Sequence, residues 1–151
     1  MNAKRFQYNL RALQRRNEWE KNSAHQDVGI AKKTLEEKQS QEKQLADKVS
    51  DVENQLRMMT EQNVDIDPTQ LTLTLQYMSS TREDLSEGKK ETMKALEEYD
   101  EKFDAYVEAD KNVRAVEKHK QREFQKFLQD EHREVYKESD DMWLSKNGGK
   151  S

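Results

Sequence analysis

Between Ala3 and Glu61 the chain contains no proline and no turn-forming cluster, and its apolar residues recur at alternating intervals of three and four. Ala24, Val28, Ala31 and Leu35 fall on one stripe, which crosses polar Lys38 and Glu42 and resumes at Leu45, Val49, Val52, Leu56 and Met59. A spacing of about 3.5 sustained over that length predicts an α-helix with a narrow apolar seam, which is stable in water only when another helix covers it. Upstream, Phe6, Leu10 and Leu13 share a face displaced by one residue from this register. The expected first helix covers residues 3–61 and is roughly 85–90 Å long at about 1.5 Å per residue.

The single proline, Pro68, stands where that run ends. Residues 62–67 are expected to form the turn. Asp67 suits the N-cap, Pro68 the first helical position, and Gln70 is placed to close a capping box. A second stripe follows through Leu71, Leu75, Met78, Leu85, Leu96, Tyr99, Phe103, Tyr106, Val113, Phe124 and Phe127, with polar Arg82, Lys89, Asp110, Glu117 and Lys120 at the gaps. Beyond Leu128 it drifts by one, through Val135 to Met142. This predicts a second helix over residues 68–143 and a flexible tail over 144–151, where Gly148-Gly149 cannot sustain helix. Gly88, inside that helix, costs about 0.5–1 kcal/mol relative to alanine. Two long helices joined by a short connection fold back antiparallel. The expected fold is therefore all-α, a long two-helix coiled coil (an α-hairpin) forming one domain over residues 1–151. The C-terminal end of the second helix is expected to project past the first or curl around it.

Composition excludes several functions. Hydrophobic residues make up 32% of the chain and charged residues 38%, against about 45–50% apolar in ordinary globular domains. Ala, Glu, Lys, Leu and Arg supply 67 of 151 residues, the bias of long helices, and a compact catalytic core is not expected. No apolar run approaches the roughly 18–20 residues of a membrane span, and the basic start, Met1 to Arg16, lacks the apolar stretch of a signal peptide. The absence of cysteine fits a reducing compartment. A net charge of −4 argues against nucleic acid as the main partner. The expected location is cytoplasmic.

Charge is unevenly spread. Residues 1–62 carry 12 basic and 10 acidic side chains, the remainder 15 and 21. Within the first sixteen residues Lys4, Arg5, Arg11, Arg15 and Arg16 meet no acid, which points to an acidic counter-surface. The acidic run Glu97, Glu98, Asp100, Glu101 and Asp104 reads as a solvated helix face. Catalytic chemistry has no carrier. His25, His119 and His132 are far apart in sequence, and a helix pair offers no pocket to hold a metal away from water. Gly148-Gly149-Lys150-Ser151 is no phosphate loop, since no strand precedes it and no helix follows. Asp140-Asp141 lacks an apolar pocket to raise a carboxyl pKa, and Tyr99, Phe103 and Tyr106 stand at seam spacing. The chain is expected to be no enzyme and to need no cofactor or metal.

Three stretches carry a resemblance: Phe6-x-Tyr8-x-Leu10-x-x-Leu13 at the start, Leu71-x-x-x-Leu75 after the turn, and Phe124-Gln-Lys-Phe127-Leu-Gln-Asp-Glu131 leading into Glu138-Ser-Asp-Asp141-Met-Trp143. With the length, the absence of cysteine and the helix–turn–helix layout, the whole chain resembles the FliJ/YscO-type stalk proteins of type III secretion export systems. The resemblance implies an antiparallel two-helix coiled coil similar to the shaft of rotary ATP synthases, peripheral to the secretion apparatus at the inner membrane. The end carrying both termini would enter the pore of a hexameric export ATPase and promote its assembly and activity. The loop-proximal part of the second helix would bind the cytoplasmic domain of the large export-gate membrane protein, and export chaperones are further implied partners. Carried over by position, Leu71, Leu75, Met78 and Arg82 match gate-contacting residues, although the residue types at Met78 and Arg82 depart from the family pattern. Arg11, Arg15, Arg16, Phe124, Phe127 and Glu131 would face the ATPase, with no one-to-one match for individual roles. The acidic, Trp143-containing end leans toward the injectisome, a virulence system, over the flagellar branch. Leu71, Leu75 and Met78 also lie on the expected seam, where core packing is the competing role, while Ile66, Leu73 and Tyr77 are apolar and off it. Two other readings compete: a generic coiled-coil scaffold or dimerising tether, and a membrane-surface helix, for which the apolar face is too narrow.

Overall fold

The computed structural model describes residues 5–61 and 65–148. Helix α1 spans Arg11–Glu61 and helix α2 spans Pro68–Asn147, with no strand among the described residues. The fold class is all-α. Of the expected turn, residues 62–64 lie outside the described residues, as do residues 149–151 of the expected tail. Packing divides the chain into two units, Ser23–Tyr106 and Met1–Asn22 with Val107–Ser151.

The unit Ser23–Tyr106 is a helical hairpin. Lys38 pairs with Glu91 at 3.1 Å, Arg82 with Glu53 at 3.1 Å, and the Thr74 hydroxyl lies 3.8 Å from the Met59 sulfur. Residue numbers rise on α1 as they fall on α2, so the helices run antiparallel. Asp67 caps α2 as expected: its Oδ1 accepts from the Thr69 amide at 3.0 Å and its carbonyl from the Leu71 amide at 3.1 Å. Gln70 closes no capping box; it lines a groove beside Met58 and Leu73 instead.

On α1 the expected seam packs inward without exception. Ala31, Leu35, Val49 and Val52 are buried, and Ala24, Val28, Lys38, Glu42, Leu45, Leu56 and Met59 are half-buried. On α2 half of the expected seam is displaced. Leu71, Met78, Leu85, Tyr99 and Tyr106 form one inward column as predicted. The alternate column lies one residue earlier than expected, through Thr74, Thr81, Gly88, Ala95 and Lys102 in place of Leu75, Arg82, Lys89, Leu96 and Phe103. Thr81 is only 3% exposed, whereas Leu75 is 47% exposed.

Fit between facing surfaces accounts for the displacement. The α1 seam supplies the bulk, in Leu35, Leu45, Val49, Val52 and Leu56, and small residues opposite let the backbones approach and the layers interdigitate. At Gly88 the approach is close: a Cβ there would stand 2.8 Å from Leu45 Cδ1. The threonines are tolerated because their hydroxyls bond to their own helix, Thr81 to the Met78 carbonyl at 3.0 Å and Thr92 to that of Gly88 at 3.0 Å. The Thr92 hydroxyl also lies 3.2 Å from the Lys38 carbonyl across the seam.

In the other unit the expected first helix is corrected at its start. Residues 5–10 are not helical, and the helix begins at Arg11 rather than at Ala3. The expected face of Phe6, Leu10 and Leu13 does not form, since Leu10 is 37% and Leu13 41% exposed. The 3-4 count instead continues through Gln14, Asn17 and Lys21, which are half-buried, buried and half-buried. These polar seam positions are accommodated by pairing: Lys21 meets Asp110 at 3.0 Å and Gln14 donates to Glu117 at 3.3 Å. The same shift of alternate column continues on α2, where Ala109, Val116 and Glu123 lie inward of exposed Glu117 and Phe124. At its C-terminal end α2 runs four residues further than expected, to Asn147, and every residue from 132 to 148 is exposed.

Candidate partner-binding surfaces

A two-helix seam leaves function to surfaces. In the unit Ser23–Tyr106 the residues carried over as gate contacts have different environments. Met78 is 8% exposed and sits in the seam; Leu71 is half-buried beside it. Arg82 is exposed and engaged with Glu53, and Leu75 stands half in solvent. At about 100° per residue, Leu75 and Arg82 lie on one flank of the inward column while Leu73 and Tyr77 lie on the other. Leu73 and Tyr77 are both exposed, as is Met58 on α1. Gln55, Met58, Met59, Gln70, Leu73 and Thr74 line an open groove of about 440 Å³. Leu73 and Tyr77 were legible in sequence as apolar residues off the seam; Met58 was masked by its neighbour Met59, which is on it.

Further along the same unit, His25 meets the Tyr106 ring edge-on at 5.6 Å, and Phe103 lies between Tyr99 at 6.2 Å and Tyr106 at 6.4 Å. Tyr99 and Tyr106 are half-buried as seam residues, while Phe103 is exposed on the flank. The acidic run Glu97, Glu98, Asp100, Glu101 and Asp104 is exposed throughout, as a solvated face should be.

In the unit of Met1–Asn22 and Val107–Ser151, an aromatic cluster forms that the expected helix did not contain. The Phe6 ring lies 5.2 Å from Phe124 in an edge-on arrangement, 5.5 Å from Phe127 and 6.5 Å from Tyr8. Tyr8 is 8% exposed, and its hydroxyl lies 2.6 Å from His119 Nδ1 and 3.5 Å from the Val116 carbonyl. Burial raises the Tyr8 phenol above its ordinary range, and the Glu123 and Glu117 carboxylates push it the same way. The Tyr8 carbonyl also accepts from the Arg11 amide at 3.3 Å, which turns the segment into the helix. Among the described residues, Tyr8 makes the only side-chain hydrogen bonds of residues 5–10.

The residues carried over as ATPase contacts are only partly assembled. Phe124 and Phe127 are brought together under Phe6, and Glu131 is half-buried one turn beyond. Arg11 lines a groove of about 520 Å³ with Phe6, Gln7, Tyr8, Gln14 and Lys120. Arg15 and Arg16 are exposed and line neither this groove nor that beside Phe127, and Arg16 is paired with Glu20 at 3.1 Å. Past the cluster, Leu128, Val135 and Met142 recur every seven residues on α2, flanked by Tyr136 and Trp143, all exposed. No group of three or more metal-binding side chains occurs among the described residues, and no helix among them is long and apolar enough to cross a membrane. No family model, no curated protein and no solved structure matches the chain.

Proposed function

We propose that this chain is a non-enzymatic stalk of a type III secretion export apparatus, which binds a hexameric export ATPase through the surfaces near its termini and an export gate through those near its turn. The observation that supports the reading most directly is that exposed apolar side chains gather in both regions to which the resemblance assigns partners. Leu73, Leu75, Tyr77 and Met58 stand out beside the turn. Phe124 and Leu128 stand out near the termini, beside the half-buried Phe127 on which Phe6 of the N-terminal arm packs. Exposed apolar groups grouped in this way mark interaction sites. On this reading the chain works in the cytoplasm at the secretion apparatus, contributes no reacting group, and promotes ATPase assembly and export by binding asymmetrically.

The test is ATP hydrolysis by the cognate export ATPase with and without this chain, together with sizing of the mixture. Stimulation and co-migration are expected, and Arg11→Glu, Arg15→Glu and Arg16→Glu together should weaken both. No stimulation and no co-migration by a properly helical chain would sink the proposal. A second reading, a coiled-coil tether, is favoured by one observation: the exposed stripe of Val135, Met142 and Trp143 on the last turns of α2. Sedimentation giving a dimer without ATPase affinity would select it.

A further inference from the structure

The arm Arg5–Leu10 is the one described segment that packs on α2 without being helical. Its hold is concentrated in two side chains. Phe6 packs on the half-buried Phe127 and meets the edge of Phe124, which stays 43% exposed, and Tyr8 is fixed through its hydroxyl on His119. Leu10 adds little, since it faces solvent. The arm therefore occupies the aromatic surface on α2 while being tied to it by few interactions.

We propose that residues 5–10 form a displaceable strap, latched by Tyr8 on His119, which packs on Phe127 and the edge of Phe124 and is released when an apolar side chain of a partner takes the place of Phe6. This rests on the stalk reading for the identity of the partner and adds regulation to that surface. A binding-competent state populated only in part lowers the apparent affinity by that fraction, so the strap tunes how readily the surface is engaged. In the latch the phenol oxygen meets Nδ1 at 2.6 Å, the donor being set by the imidazole tautomer, and Nε2 of the same ring lies 3.9 Å from the Glu123 carboxylate. The charged and titratable groups around it are Glu117 and Glu123 on α2, Lys120 beside the arm, and Arg11 at the start of α1.

The experiment uses the full chain and four variants. Trypsin cleavage after Arg5, within the arm, reports its release, because opening must precede cleavage and the rate follows the open population. Tyr8→Phe and His119→Leu should each speed that cleavage by about fivefold, the ratio given by losing one hydrogen bond of ordinary strength. His119→Gln, whose side-chain amide can donate to or accept from the phenol, should stay near the wild-type rate, which a general loss of packing would not allow. Phe6→Ala, Tyr8→Phe and His119→Leu should also bind an apolar fluorescent dye more strongly, and each should tighten binding to the cognate export ATPase, Tyr8→Phe by up to about fivefold.

Unchanged cleavage in Tyr8→Phe and His119→Leu would overturn the latch. Faster cleavage without added dye binding, or with unchanged or weaker ATPase binding where the wild type does bind, would overturn the covering role. If no form binds the ATPase, the stalk reading fails, and the strap is decided by cleavage and dye binding alone.

Discussion

The unit Ser23–Tyr106 and the unit built from the two ends of the chain are held by different chemistry. In the first, an aliphatic α1 seam meets small residues of α2, with Val52 and Thr81 each only 3% exposed. In the second, the positions continuing the α1 seam are Gln14, Asn17 and Lys21, and the apolar contribution from the N-terminal side comes from Phe6 and Tyr8 on a non-helical arm. Surface ion pairs occur in both, Lys38 with Glu91 in the one and Lys21 with Asp110 in the other, and such pairs are each worth about 0–1 kcal/mol. They set register more than stability. A seam of interdigitated aliphatic side chains resists local opening, whereas one of paired polar groups and a two-point aromatic anchor opens readily.

The comparison breaks first at the α2 phase. If Met78 is the seam residue and Leu75 a flank residue, Met78→Ala should cost about 2 kcal/mol or more and Leu75→Ala no more than about 0.5 kcal/mol. Chemical denaturation followed by circular dichroism measures both. Equal costs, or the reverse order, would mean that the alternate column is the one expected from hydrophobicity. The variants also separate packing from binding: Leu75→Ala should weaken a gate interaction while leaving stability almost unchanged.

That phase is also where the sequence was hardest to read. On α1 the apolar residues from Ala24 to Met59 leave a single stripe to choose, and all of it packs inward. On α2 two stripes share Leu71, Met78, Leu85, Tyr99 and Tyr106 and differ only in the alternate column. Hydrophobicity selects Leu75, Leu96 and Phe103; the close approach of the bulky α1 seam, seen where Leu45 meets Gly88 and Met59 meets Thr74, selects Thr74, Thr81 and Ala95. Complementarity belongs to the pair of helices and cannot be read from one of them. The arm was missed for another reason. Phe6, Tyr8 and Leu10 alternate with a period of two, the signature of extended chain, but no proline or glycine separates them from the helix, so the same residues also fit a helical count. The N-cap at Asp67 was legible, because it depends on local residues alone, whereas the capping box expected of Gln70 does not form.

The aromatic anchor gives a pH-dependent test of the second unit. The folded-state pKa of Tyr8 is raised, so the neutral phenol is favoured by folding. Its contribution is complete below the ordinary tyrosine value of about 10, and it is lost as pH rises through the higher folded value. In a spectrophotometric titration, the difference between wild type and Tyr8→Phe should therefore show a phenol ionising later than an ordinary tyrosine, and the arm should become cleavable over the same range. Ionisation of Tyr8 at or below the ordinary value would show that the phenol is not held in the buried position between His119 and Val116.

The smallest effects are expected at the two glycines inside the helices, and they probe how closely the helices of the first unit approach. Gly29 is exposed on α1, and a Cβ built there meets nothing within 4 Å. Gly29→Ala removes only the conformational freedom of the unfolded chain and should stabilise the protein by about 0.5–1 kcal/mol. Gly88 carries the same intrinsic penalty, but an added methyl would press on Leu45 Cδ1 at 2.8 Å. Because that atom ends a flexible side chain, Leu45 can move aside at the expense of its own seam contacts, so Gly88→Ala should gain less than Gly29→Ala or lose outright. The quantity to measure is the difference between the two in the same denaturant series, since the propensity gain cancels and what remains is the packing at the seam. If Gly88→Ala stabilised as much as Gly29→Ala, Leu45 would not be in contact with Gly88, and the small-residue column would have another cause than close approach. If the Leu45→Ala background restored the full gain at Gly88, the deficit would be assigned to that one contact, because mutations that share a partner couple and unrelated ones add.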